Sequence, residues 1–211
     1  MNRRYLQGTL HIQLFLAATA CTNFATIHGA RPIQPHTTEF GVAGSVQGGT
    51  AFSDSTGLLL PQLELSVRRG LSESSDVGTR LYLGGAQADF RHRFWRNDKW
   101  HLAIAPGIGG LFLPVGGILS LQIPLRAELE LSPSWSLMAG VQSTAQHNFV
   151  ALPPYTQDSI TYYTTATLRI ERQWKRLRLG SSLEVLDHST QGVPATVSLG
   201  WDVSLRPKSI K

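Results

Sequence analysis

From Thr37 to about Arg206 the chain alternates apolar and polar residues with a period of two. In residues 119–131, Leu119, Leu121, Ile123, Leu125, Ala127, Leu129 and Leu131 fall on one side. Ser120, Gln122, Pro124, Arg126, Glu128 and Glu130 fall on the other. A helix would scatter those apolar positions around its circumference, whereas a strand gathers them on one face. Residues 134–148 and 193–205 repeat the arrangement. The pattern predicts ten strands, near 38–49, 58–70, 75–84, 86–96, 99–111, 117–131, 134–148, 159–173, 175–187 and 193–206. Turn residues punctuate them at Gly48-Gly49, Ser72 to Asp76, Gly84-Gly85, Arg96 to Lys99, Pro114 to Gly117, Ser132 to Ser134, Pro153-Pro154 and Gln191-Gly192. Reading Gly84-Gly85 as a bulge inside one long strand would lower the count, and eight strands is the alternative.

The first residues differ. Arg3 and Arg4 precede a short apolar stretch that ends Ala17-Ala18-Thr19-Ala20-Cys21, which reads as a secretory signal peptide over 1–20. Cys21 is the only cysteine, so it has no partner for an intramolecular disulfide. Its setting resembles a bacterial lipoprotein box, in which the cysteine is acylated, and equally an Ala-x-Ala site cut just before it. Residues 21–37, with Pro32 and Pro35, read as a linker, 38–206 as the β-domain and 207–211 as a tail.

Alternation alone does not say which face meets water, because soluble and membrane barrels both have one apolar and one polar face. The tryptophans decide it. Trp100 and Trp135 open two strands and Trp174 closes a third, all with the parity of the apolar face. Indoles at strand ends on that face form the interfacial girdle of a transmembrane barrel. Trp95 has the parity of Arg91 and Arg93 and departs from the pattern. Residues 198–205, Ser-Leu-Gly-Trp-Asp-Val-Ser-Leu, resemble the strand signal read by the outer-membrane insertion machinery. The stretches 67–71, 76–83 and 88–90, with Leu102 to Gly107, resemble small outer-membrane β-barrel proteins of Gram-negative bacteria, of OmpA- or OmpX-like architecture. The resemblance implies an all-β, closed, antiparallel up-and-down transmembrane barrel in the outer membrane, one of a class in which many members have no defined activity.

Charge and composition agree with that picture. Charged residues are 16% of the 211-residue chain, against about 25% in soluble domains. No run of about 18 uncharged apolar residues marks a membrane helix, but a closed barrel needs none. Without Arg3 and Arg4, 17 basic residues face 14 acidic ones, and a surplus of about +3 gives no reason to expect nucleic acid. The polar face carries Glu64, Arg68, Arg80, Asp89, Arg91, Arg93, Arg126, Glu128, Glu130, Arg169, Glu171, Arg178, Glu184 and Asp202, which would pair across a narrow lumen.

His101, His147 and His188, with Ser143 and Ser189, lie near strand ends but show no catalytic spacing, and no cluster of metal ligands or cofactor motif stands out. The expected role is therefore structural or surface-interacting and non-catalytic. Its partners would be outer-membrane lipid and the insertion machinery, and it would act as a monomer. Loops 50–57, 112–117, 149–159 and 188–192 would face outward from the cell. The other readings are a narrow pore, a lipid-modifying enzyme and a soluble lipocalin-like periplasmic lipoprotein.

Overall fold

The computed structural model describes residues 29–49, 60–113, 116–152, 155–174, 177–187 and 196–205. The signal peptide, Cys21, the 50–57 and 188–192 loops, His188, Ser189 and the 207–211 tail lie outside them. The described residues form β1 (Thr38–Gly49), β2 (Leu60–Gly70), β3 (Ser75–Tyr82), β4 (Gly85–Arg96), β5 (Trp100–Ile104) and β6 (Gly107–Leu113). They continue with β7 (Gly116–Ser132), β8 (Trp135–Leu152), β9 (Tyr155–Trp174), β10 (Leu177–Asp187) and β11 (Thr196–Leu205). All pairings between these strands are antiparallel, and β1 pairs with β11, so the sheet closes on itself without an edge.

Eleven segments make ten barrel strands, because β5 and β6 are one strand interrupted at Ala105 and Pro106. Both segments lie between β4 and β7. Pro106 has no N–H to give the ladder, and neither has Pro124 on the neighbouring strand. The Ala105 N–H still reaches the Pro124 carbonyl at 3.0 Å, and the Pro106 carbonyl accepts from Phe90 at 2.9 Å, so the wall stays closed. The Gly84-Gly85 site is a hairpin, and Gly84 has φ +76°, a conformation suited to glycine.

The pleat sorts the two faces. Leu63 is 66% exposed while its neighbour Glu64 is 1% exposed. Along β7, Leu119, Leu121, Ile123 and Leu125 point out and Ser120, Gln122 and Arg126 point in. A soluble, lipocalin-like barrel would have the reverse, so that reading fails on this arrangement. Trp95 departs from the sequence expectation. The ladder slips between Arg93 and Trp95, leaving Phe94 as an extra residue. This β-bulge sets Trp95 opposite Leu102, so the indole faces outward with Trp100, Trp135 and Trp174.

The 149–159 segment also differs from expectation. β8 and β9 run on to Leu152 and from Tyr155, as a hairpin of 18- and 20-residue strands. About 9–11 tilted residues cross a bilayer, so this hairpin rises well beyond it. The strict alternation ends there, with His147 contacting Asp158 on one side and Gln146, Asn148 and Thr161 hydrogen-bonded on the other.

Candidate functional site

The interior is polar, as an inward face must be when the outer one meets lipid. Its lower part lies at the end where β1 starts and β11 stops. Connections of two to four residues join β2 to β3, β4 to β5, β7 to β8 and β9 to β10 at that end. Two clusters of charge occupy it. In the first, Arg68 pairs with Asp76 and Asp89, and Arg91 pairs with Asp76. Arg80 lies 3.9 Å from Asp89. In the second, Arg169 pairs with Asp202 and with Glu171 at 3.1 Å, while Arg178 reaches Glu171 at 3.0 Å and Glu39 at 3.6 Å. Inward-facing Gly78 and Gly180 make room for these groups, since a Cβ at either would collide with the guanidinium of Arg68 or Arg169.

The segment Gly29–Thr37 lies between the clusters, which corrects the reading of residues 21–37 as a linker over its described part. Ala30 and Ile33 are buried, and the Ile33 N–H donates to Asp76 at 2.8 Å. The Gly29 carbonyl accepts from Arg91. Arg31 donates from Nε to Glu128 at 2.5 Å, from its backbone N–H to the same carboxylate at 3.2 Å, and from Nη1 to Glu130 at 3.1 Å. Glu171 of the second cluster is 4.0 Å from Arg31. The segment then leaves the mouth, where the His36 N–H donates to Gly70 and the Gly70 N–H to Thr37, each at 3.0 Å, and β1 begins.

The reason for this docking is charge balance. The barrel strands bury Glu39, Glu64, Asp76, Asp89, Glu128, Glu171, Glu184 and Asp202 against Arg68, Arg80, Arg91, Arg126, Arg169 and Arg178. A further cation supplied by the N-terminal segment offsets part of that acid excess. A buried carboxylate stripped of its cation is costly, and Glu128, 1% exposed, takes the shortest of Arg31's contacts.

Above the clusters, Glu64, Arg80, Arg126 and Glu184 share the middle of the lumen. Thr167 donates to Glu184 at 3.2 Å. A cavity of about 20 Å³ between Arg80, Arg126, Gln142, Thr167 and Glu184 has room for about one water. Higher still the lining is neutral, with Gln87 donating to Gln122 at 3.0 Å and Tyr163 to Gln146 at 3.2 Å. Leu111 and Ile118 turn inward against Tyr82 there.

Each sequence-predicted residue has a definite place. All the proposed lumen charges lie on the inward face, with Arg93 and Glu130 partly exposed at the lower mouth. Glu39, Asp76 and Arg31 belong with them but were not among them. Trp100, Trp135 and Trp174 are outward at strand ends, and the Arg172 guanidinium lies 5.3 Å from the Trp135 ring centre. The histidines do not converge. His101 is buried at the lower mouth, 2.7 Å from Glu130, whereas His147 stands on the upper hairpin beside Asp158. Ser143 is four residues along the strand from His147, roughly 13 Å away, so the two form no dyad. No group of three candidate metal ligands occurs among the described residues.

A closed antiparallel cylinder with leucines outward, ion pairs inward and indoles at the strand ends is the architecture of an outer-membrane β-barrel protein. Comparison with solved structures agrees on the fold. The COG4313 outer membrane channel from Pseudomonas putida F1 superposes with a TM-score of 0.61 at 10% identity, over 87% of this chain and all of that one. Neisserial surface protein A gives 0.40 at 10% identity over 80% and 95% of the two chains. The KdgM porin in complex with oligogalacturonate gives 0.43 at 8% over 79% and 98%. No protein-family model and no curated protein sequence matches the chain.

Proposed function

We propose that the protein is a structural, surface-displaying barrel of the outer membrane, with a filled lumen and no catalytic role. The observation that carries this reading is the Gly29–Thr37 segment, whose contacts to both charge clusters obstruct the lower mouth. Short connections at that end and the rising β8–β9 hairpin at the other support reading the plug as periplasmic and the hairpin as facing out of the cell. The hairpin is then the surface through which the protein meets other molecules. Its standing partners are the surrounding lipid and, during assembly, the insertion machinery that reads residues 198–205, and it acts as a monomer. One similar solved structure, with a TM-score of 0.61, is a channel, and a narrow pore for small solutes or ions is the competing reading. Ten strands argue against an open bore, since wide aqueous channels have about 16.

Planar-bilayer recording separates the two. The purified protein is expected to give no steady current steps, and so is the Arg126→Ala, Glu128→Ala double variant. Steady unitary steps from the unmodified protein, altered in size by that pair of substitutions, would establish the pore instead.

A further inference from the structure

We propose that the outer wall over β2, β3, β4 and β6 seats one anionic phospholipid of the periplasmic leaflet, with its phosphate at Arg69 and an acyl chain in the dent above it. The inference rests on the membrane-barrel reading and adds a defined ligand site to it.

Most of the lipid-facing surface is a continuous relief of leucine, isoleucine and valine. A cross-strand row from β2 to β7 interrupts it with small side chains. Val67 pairs with Thr79, Thr79 with Ala88, Ala88 with Ile108 and Ile108 with Leu121. Thr79 and Ala88 are the small members, flanked by larger side chains on both sides. Beside them the wall is irregular at Pro106, where β5 gives way to β6. The result is an outward-open apolar hollow of about 530 Å³, bounded below by Phe90 and Val77.

Arg69 lines the same hollow on its periplasmic side, one residue before β2 ends. It is exposed on the outward face opposite Val77, and among the described residues it forms no ion pair. That contrasts with its neighbour Arg68, which points inward and is held by two carboxylates. An unpaired guanidinium at the level where a strand leaves the bilayer faces headgroups, and it favours a phosphate with net negative charge. The hollow lies two residues further up β2, at acyl depth. A diacyl phospholipid matches both parts at once: an anionic head at Arg69 and a chain filling the gap between Val67 and Ile108. A soluble anion would use only the first, and a second barrel's apolar ridge only the second.

The test is native mass spectrometry of the folded full-length barrel, titrated in detergent with phosphatidylglycerol or with phosphatidylcholine of the same acyl chains. Folding is checked in each sample by heat-dependent gel migration. The site requires one phosphatidylglycerol bound in preference to phosphatidylcholine. It also requires affinity about fivefold weaker in Arg69→Gln and weaker binding of both lipids in Ala88→Phe, which fills the hollow. Thr79→Leu serves the same purpose should Ala88→Phe fail to fold. Equal binding of the two lipids by the unmodified protein, or affinities untouched by the substitutions in barrels that keep their gel shift, would overturn the site. So would a dimer whose dissociation tracks Ala88→Phe, because a second copy would then occupy the hollow. Absence of any gel shift in the unmodified protein would instead remove the barrel reading on which the site stands.

Discussion

At the scale of single residues, the protein depends on placing many charges where water is scarce. The parity of a strand position tells which way a side chain points, and that is why the inward arginines and glutamates could be named from spacing alone. Partners could not be named, because pairing runs between strands and depends on register. Asp76 illustrates the difference. It stands second in β3 at the end of a run of turn residues, yet it joins Arg68, Arg91 and the Ile33 N–H. Arg31 was hidden for another reason, since it belongs to no strand and has no parity to read. An acid surplus on the inward face is the signal that could have pointed to an extra cation. Replacing Arg31 by Ala is expected to lower stability by about 1–3 kcal/mol, because the Glu128 carboxylate loses its donor while remaining buried. Glu128→Gln in the same chain should recover most of that loss. Urea unfolding in lipid vesicles, followed by tryptophan emission, measures both effects. An Arg31→Ala barrel as stable as the original would show that the plug is not held by this contact.

Elements show where the two-residue period stops being a sufficient guide. The hairpins around Gly84, Asn97 and Ser134 were legible because turn residues mark them. The break at Pro106 was not, since apolar positions continue across it in the same phase. The bulge at Phe94 was also missed, although Phe94 and Trp95 are adjacent large aromatics at a strand end. Regular alternation would turn one of them inward, and the extra residue leaves both exposed. The β8–β9 hairpin was underestimated in length because Phe149 to Leu152 run apolar without alternation into Pro153-Pro154, which reads as a loop. If this extension is a display surface and not part of the barrel's support, residues 149–158 should be dispensable. Asn148 and Ser159 are directly paired, so a two-residue Asn-Gly turn can join them. The shortened protein is expected to keep its heat-dependent gel shift. Loss of the shift would mean that the hairpin is needed to close the cylinder.

For the whole molecule, the assignment of faces governs everything else. A cylinder of this kind is an inverted globule, with apolar side chains directed at lipid tails and its polar network sealed from them. Closure is what makes the inversion stable, because β1 pairs with β11 and no strand among the described residues is left as a sheet edge. The class of fold was legible from the tryptophan positions and the leucine series, since both are local. The filling of the lumen was not, because it depends on a segment that folds back into a space the strands must first create. The most direct measurement is a nitroxide scan of β7 in lipid bilayers, with Cys21 replaced by Ser and single labels from Leu119 to Arg126. Labels at 119, 121, 123 and 125 should be relaxed by dissolved oxygen and shielded from a water-soluble nickel reagent, while labels at 120, 122 and 126 should be shielded from both. If the leucine positions met the nickel reagent and the intervening positions met oxygen, the faces would be reversed and the account contradicted.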